Sequence, residues 1–487
     1  AMLGIVNGNT DITVSGGEIG DETGVKAGEE YGNIYGGGKG NTTHVRSGLI
    51  KGNTNITIEN LVADEDYNKA HPETAIGTVV SSPKIYHNIY GGGAHGSVGT
   101  YNYASDAEDA AITSLASENT TDENTTGVAN ITITGGTIGV NGHENGIVFG
   151  SSRGEVGAPE TMCDKLAWVY STSVVIGTSG QGTIVTTPHI KGSVYGGGEN
   201  GHVYQNASVA IHSGMIGITE ELAVDPEGQK GSHYPYRGNV YGSGCGTDKY
   251  VDTADGNKEK YNPMSGIVKN GNATVLIDGG HVVRDVYGAG SMGSVDRSTT
   301  VTIEGDAVIG ADGSGGGYVF AAARGDASEP TMATVGSSNL NINGGTIWMD
   351  AYGGGQNGYV KGAVAVNLTN GTVKRDVYGG GALAKTNTEY DANDDDKDDY
   401  ITTVTLSGTT INGDLYGGGL GQLAIDPIAA DVNGPVTVTV SNGKATRVFG
   451  CNNVNGSPKQ TVAVNITGTT PEALGSAISD VYGGGHS

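Results

Sequence analysis

Short runs in which every second residue is apolar recur along the whole chain. Ile12 and Val14, Ile56 and Ile58, Ile131 and Ile133, Val209 and Ile211, Val275 and Ile277, and Val301 and Ile303 follow this rule. So do Leu340 and Ile342, Val364 and Val366, Val404 and Leu406, Val436 and Val438, and Val462 and Val464. Alternation in Val, Ile and Thr predicts half-buried strands. A second signature follows each run: an apolar residue, an aromatic ring, then small residues. The rings are Tyr35, Tyr90, Phe149, Tyr195, Tyr241, Tyr287, Phe320, Tyr352, Tyr378, Tyr416, Phe449 and Tyr482. The shortest spacing, Tyr352 to Tyr378, gives a minimal unit of 26 residues. Within it Gly turns separate three short strands. Strands this short bury an apolar face only by stacking on the next unit, which also pairs their backbones in parallel.

The expected fold class is therefore all-β, a right-handed parallel β-helix of about twelve three-strand coils. At ~4.8 Å per coil the rod would be about 58 Å long. The coils group in fours. Phe stands in the third coil of each group, at Phe149, Phe320 and Phe449. His95-Gly96-Ser97-Val98 matches Met292-Gly293-Ser294-Val295, and Glu199-Asn200-Gly201 matches Gln356-Asn357-Gly358. One continuous domain, 1–487, is expected, with cassettes near 1–203, 204–360 and 361–487. Polar insertions at 59–84, 100–127, 155–191, 217–237, 247–264, 384–400 and 420–433 should emerge at coil corners. Loops on a rigid scaffold are where variable contacts concentrate.

Composition adds to this picture. Gly numbers 87 with only 12 Pro, so the glycines mark turns and close approaches, not collagen. The formal net charge of −26 argues against a nucleic-acid partner and leaves room for a divalent cation such as Ca²⁺. Cys163, Cys245 and Cys451 are odd in number and far apart, which excludes a disulfide framework. No apolar run is long enough to predict a transmembrane segment. The chain opens and closes inside the repeat, at Gly4-Ile5-Val6 and Tyr482-Gly483-Gly484-Gly485. An export signal and an anchor are expected outside it, which places the protein outside the cell or on a bacterial surface.

Four constellations could carry chemistry. The aromatic ladder could be a sugar-stacking track or a structural lock. Tyr gives way to Phe only where the following Gly triplet is also lost, so the hydroxyl is expected to bond glycine backbone. Two residues before each ring stands Asn33, Asn88, Ile147, Ser193, Asn239, Asp285, Tyr318, Asp350, Asp376, Asp414, Arg447 or Asp480. Stacked Asp350, Asp376 and Asp414 could raise a pKa, hold Ca²⁺ or form an acidic catalytic cluster; the alternative is solvated carboxylates that cap turns. Asp391, Asn393 and Asp395 have the first spacings of a Ca²⁺ loop, but Asp396 and Thr402 stand where Gly and Glu belong. Arg324-Gly325-Asp326 is an integrin-type tripeptide, yet Arg153-Gly154-Glu155 holds the same place in another cassette. An Arg–acid pair pinning the turn is expected there. HExxH, Walker and G-x-S-x-G motifs are absent from the sequence.

The units Gly8-Asn9-Thr10-Asp11-Ile12-Thr13-Val14 and Val194-Tyr195-Gly196-Gly197-Gly198 resemble those of bacterial surface β-helix proteins of the adhesin and autotransporter-passenger type. The resemblance covers essentially the whole chain. It implies an extended stalk or binding scaffold whose partners are glycans or surface proteins. The competing class is a carbohydrate-active β-helix enzyme, a polysaccharide lyase or glycoside hydrolase, with Asp350, Asp376, Asp414 and Arg447 as its nearest candidate set. An ice-binding face would need a more regular Thr array.

Overall fold

The computed structural model describes residues 4–26, 31–105, 107, 110, 112–115, 126–141, 145–179, 187–219, 237–246, 249–313, 315–393, 400–470 and 477–486. Nearly all of its regular structure is β. Helix is sparse among the described residues, chiefly Glu22–Lys26, Glu65–Ala70 and two 3-10 turns.

Two long parallel sheets, of 19 and 12 strands, account for most strands. The chain alternates between them. One pass through both sheets ends at each aromatic residue, which gives twelve passes. In the larger sheet, central strands align pass on pass. Ile12 pairs with Ile56, Ile56 with Ile131 and Ile131 with Val174, and the column runs on to Val464. Short strands such as Thr137–Ile138 and His281–Val282 form a second column in the same sheet. From Val335–Ile347 to Val436–Lys444 the two merge into one longer strand per pass. A further column consists mostly of single bridges, from Val6↔Ile50 to Val335↔Val360, with the short pair Trp168–Val169 and His202–Val203 within it.

Three expectations shift in detail. The span 155–191 contains the central strand of the fourth pass, Ser171–Ile176, and is not a single insertion. Val366 and Leu368, not Val364 and Val366, share columns with Leu340 and Ile342. Val438 with Val440 and Val464 with Ile466 likewise extend those columns. A period of two does not distinguish registers two residues apart. The insertions also have structure of their own. Leu61–Val62 pairs with Val79–Ser81, Tyr101–Tyr103 with Ile112–Leu115, and Lys249–Asp252 with Lys258–Tyr261, all antiparallel.

The inward faces of the two sheets share one aliphatic cluster, which includes Ile56, Ile131 and Val301 from one sheet and Ile89, Val148 and Val319 from the other. Successive strand residues point to opposite faces. Val148 therefore enters that cluster while Phe149 enters a second, aromatic one behind the smaller sheet.

Candidate functional site: polar columns and an open cleft

The twelve rings form one unbroken stack, with centroids 4.4–5.1 Å apart and planes within 19°. From Tyr90 to Phe449 each ring is at most 3% exposed. Both faces of these rings are covered by other rings. No pyranose can stack on them, so the ladder is a lock and not a sugar track.

The glycine that follows every ring but Phe320 has its own reason. A Cβ on Gly91 would land on the carbonyl oxygen of Gly150, one on Gly150 on that of Gly196, and one on Gly379 on that of Gly417. None of these glycines sits at positive φ. Close approach between passes is what excludes a side chain here.

Asn, Ser and Asp side chains of the column two residues before the rings bond one pass to the next. Asn33 Oδ1 accepts from the Asn88 backbone N–H at 3.0 Å, and Asn88 Oδ1 from that of Ile147 at 3.0 Å. Ser193 Oγ, Asn239 Oδ1 and Asp285 Oδ1 continue this at 3.1, 2.9 and 3.0 Å. Asp350 Oδ1 accepts from Asp376 N–H at 3.0 Å, and Asp376 Oδ1 from Asp414 N–H at 2.7 Å. Asn, Ser and Asp interchange because each offers a short acceptor. The second Asp oxygens are also engaged. The hydroxyls of Tyr352, Tyr378 and Tyr416 donate to Asp350, Asp376 and Asp414, each at 3.2 Å. Arg447 closes the run on Asp414 with Nε at 3.1 Å and Nη2 at 2.6 Å. Asp350 and Asp414 are buried, so these are not solvated caps. Burial pushes the Asp350 carboxyl above the usual carboxylate range, even with Arg375 Nε 3.5 Å away. Burial raises Asp285 in the same way.

The hydroxyls do not bond glycine backbone as expected. Residues i and i−2 of a strand share a face, so the phenols of Tyr90, Tyr241, Tyr352, Tyr378 and Tyr416 meet the side chain two positions earlier, while that of Tyr287 donates to Gln356 Oε1 at 3.0 Å. The sequence carried this signal. Tyr stands wherever that earlier residue is Asn, Ser or Asp, and Phe stands only after Ile147, Tyr318 and Arg447.

The remaining candidates are separate from this column. Asp391 Oδ1 accepts from Asn393 N at 2.9 Å and Nδ2 at 3.0 Å, a local turn. Asp395 lies outside the described residues. Among the described residues, no group of three or more His, Cys, Asp or Glu side chains is arranged to hold a metal. At the tripeptides, the acids reach other elements. Glu155 Oε2 meets His95 Nε2 at 2.8 Å. Asp326 Oδ2 accepts from Tyr261 at 3.2 Å, and its Oδ1 accepts from Ser328 Oγ at 2.7 Å. Burial and Asp326 push the Tyr261 phenol up to about 12. All three cysteines are free.

A second acceptor column, not anticipated from sequence, precedes the central strands. Asn9 Oδ1 accepts from Asn53 N–H at 2.9 Å, and Asn53 Oδ1 from Val128 N–H at 3.0 Å. Asn206 Oδ1 accepts from Asn272 N–H at 2.9 Å, and Asn272 Oδ1 from Ser298 N–H at 3.1 Å. In the next three passes the same place holds Ser337, Ala363 and Ile401. There the surface opens into a cleft of about 600 Å³. Gly336, Ser337, Gly362 and Ala363 line it, with Arg297 from the seventh pass and Tyr400 from the tenth. Glu389, within the expected corner insertion 384–400, lines it too and lies 3.7 Å from Lys361 Nζ.

No protein-family model, curated protein or solved structure matches this chain.

Proposed function

We propose that this chain is a non-enzymatic, surface-displayed bacterial scaffold, an adhesin or stalk. In this reading its two sheets are walls of a closed, right-handed parallel β-helix built from three four-pass cassettes. Contacts to glycan or surface protein lie on corner loops outside the repeat. One observation carries the reading: the repeated polar side chains are bonded from pass to pass and serve the scaffold. What is singular lies at the corners, in the hairpins and in the cleft beside Glu389.

The competing reading is a carbohydrate-active enzyme that uses Asp350, Asp376, Asp414 and Arg447. Its carboxylates stand in a row, each bonded to a backbone N–H or to Arg447, and do not converge on one point. A glycan array combined with a reducing-sugar release assay separates the two. Retention of glycan without release of reducing ends is expected. Release that disappears in Asp376→Ala would overturn the scaffold reading.

A further inference from the structure

We infer that the cleft across passes seven to ten binds an uncharged hexopyranose oligosaccharide lying along the stacking direction. This rests on the scaffold reading above and adds to it a site and a ligand class. The cleft exists because an internal polar column lapses. Asn9, Asn53, Ser171, Asn206 and Asn272 each cap a backbone N–H of the next pass, and only Val128 interrupts them before Ser298. Ala363 and Ile401 bring no amide to that place, and the small side chains of passes eight and nine leave the space open.

Size and chemistry then select the ligand. The volume, about 600 Å³, falls within the range of small-ligand sites. Three inter-pass steps separate Arg297 from Tyr400, which sets a length of about 14 Å. The shape is an open trough and suits a segment of a chain better than an enclosed small molecule. Tyr400 supplies an aromatic wall for the apolar face of a pyranose. Arg297 and Glu389 are planar, exposed groups able to bond vicinal hydroxyls in pairs. The two charged residues that line the cleft, Arg297 and Glu389, balance each other. The whole chain carries −26 and repels polyanions, which disfavours uronate-rich glycans.

The test uses the full chain with cellohexaose, mannohexaose and a galacturonate hexamer as probes, by isothermal titration at low and high salt. Binding of a neutral hexamer, with little salt dependence, is expected. Tyr400→Ala and Arg297→Ala should each weaken it at least tenfold, and Ala363→Trp, which fills the trough, should abolish it. Unchanged thermal midpoints in all three variants establish that they fold. Neutral binding that survives all three would overturn the cleft assignment and leave the scaffold reading standing. Binding of the galacturonate alone, lost at high salt, would overturn the ligand class. No binding of any of the three probes would overturn the inference, while array binding of another ligand would preserve the scaffold reading.

Discussion

Two stretches of the same column solve one problem with opposite polarity. In early passes the residue before the ring is Asn, and its amide donates to the phenol: Asn88 Nδ2 to Tyr90 at 3.3 Å, Asn239 Nδ2 to Tyr241 at 3.0 Å. The Tyr90 hydroxyl is then free to donate onward, to Glu199 Oε2. In passes eight to ten the residue is Asp, and the phenol donates back to it. Tyr378 therefore accepts from outside, from Asn453 Nδ2 at 2.9 Å. The backbone duty is the same for Asn88, Asn239, Asp350 and Asp376, because Oδ1 of each caps the next pass. The difference is charge. The Asn stretch is neutral at every pH, whereas the Asp stretch buries carboxylates that need donors.

The largest expected effect tests what the two stretches share. Tyr195→Ala and Tyr378→Ala each leave a ring-sized gap in the stack. Each should cost about 3–5 kcal/mol in denaturant unfolding. A cost below about 1 kcal/mol at either site would mean that the stack does not lock the passes. Next, Asn239→Asp places a carboxylate where Tyr241 and the backbone are arranged for an amide. A loss of about 2 kcal/mol at neutral pH is expected, recovering as pH falls and the carboxyl protonates.

Removing one hydroxyl should separate the stretches. Tyr378→Phe deprives a carboxylate of a donor and should cost about 1.5–3 kcal/mol, against about 1 kcal/mol for Tyr241→Phe. Equal losses would erase the distinction. The smallest effect is on pH dependence. Burial holds Asp350 above its unfolded-state value. Its contribution to stability is full below the usual carboxylate pKa and is lost as pH rises through the raised one. Asp350→Asn should flatten the decline in stability from about pH 4 toward neutrality, and urea midpoints across that range would show it.

Much of this arrangement was legible in the sequence. The ring ladder and the central strands follow from spacing alone, since stacked passes repeat the same residue at the same place. The fourth pass was marked by Tyr195, but its central strand Ser171–Ile176 was hidden because polar segments flank it on both sides within 155–191. The phenol partners were misplaced because loss of the Gly triplet after Phe149, Phe320 and Phe449 coincides with loss of the Asn, Ser or Asp two positions before each. The strand pleat, and not chain proximity, decides which side chains meet. The cleft was not legible at all. It arises where Ala363 and Ile401 stand in place of an amide across separate passes, and such a lapse shows only once register is known.

The direction of the bonds between passes has a mechanical consequence. The backbone bonds of both sheets, and the side-chain caps that reinforce them, run from one pass to the next along the stacking direction. A pull between the first and last passes loads these interfaces in series, so the weakest opens first and sheds one pass at a time. A pull across the strands of a single pass loads many bonds together, in shear. An anchored chain of this build would resist sideways drag from flow far better than a steady tug on its tip.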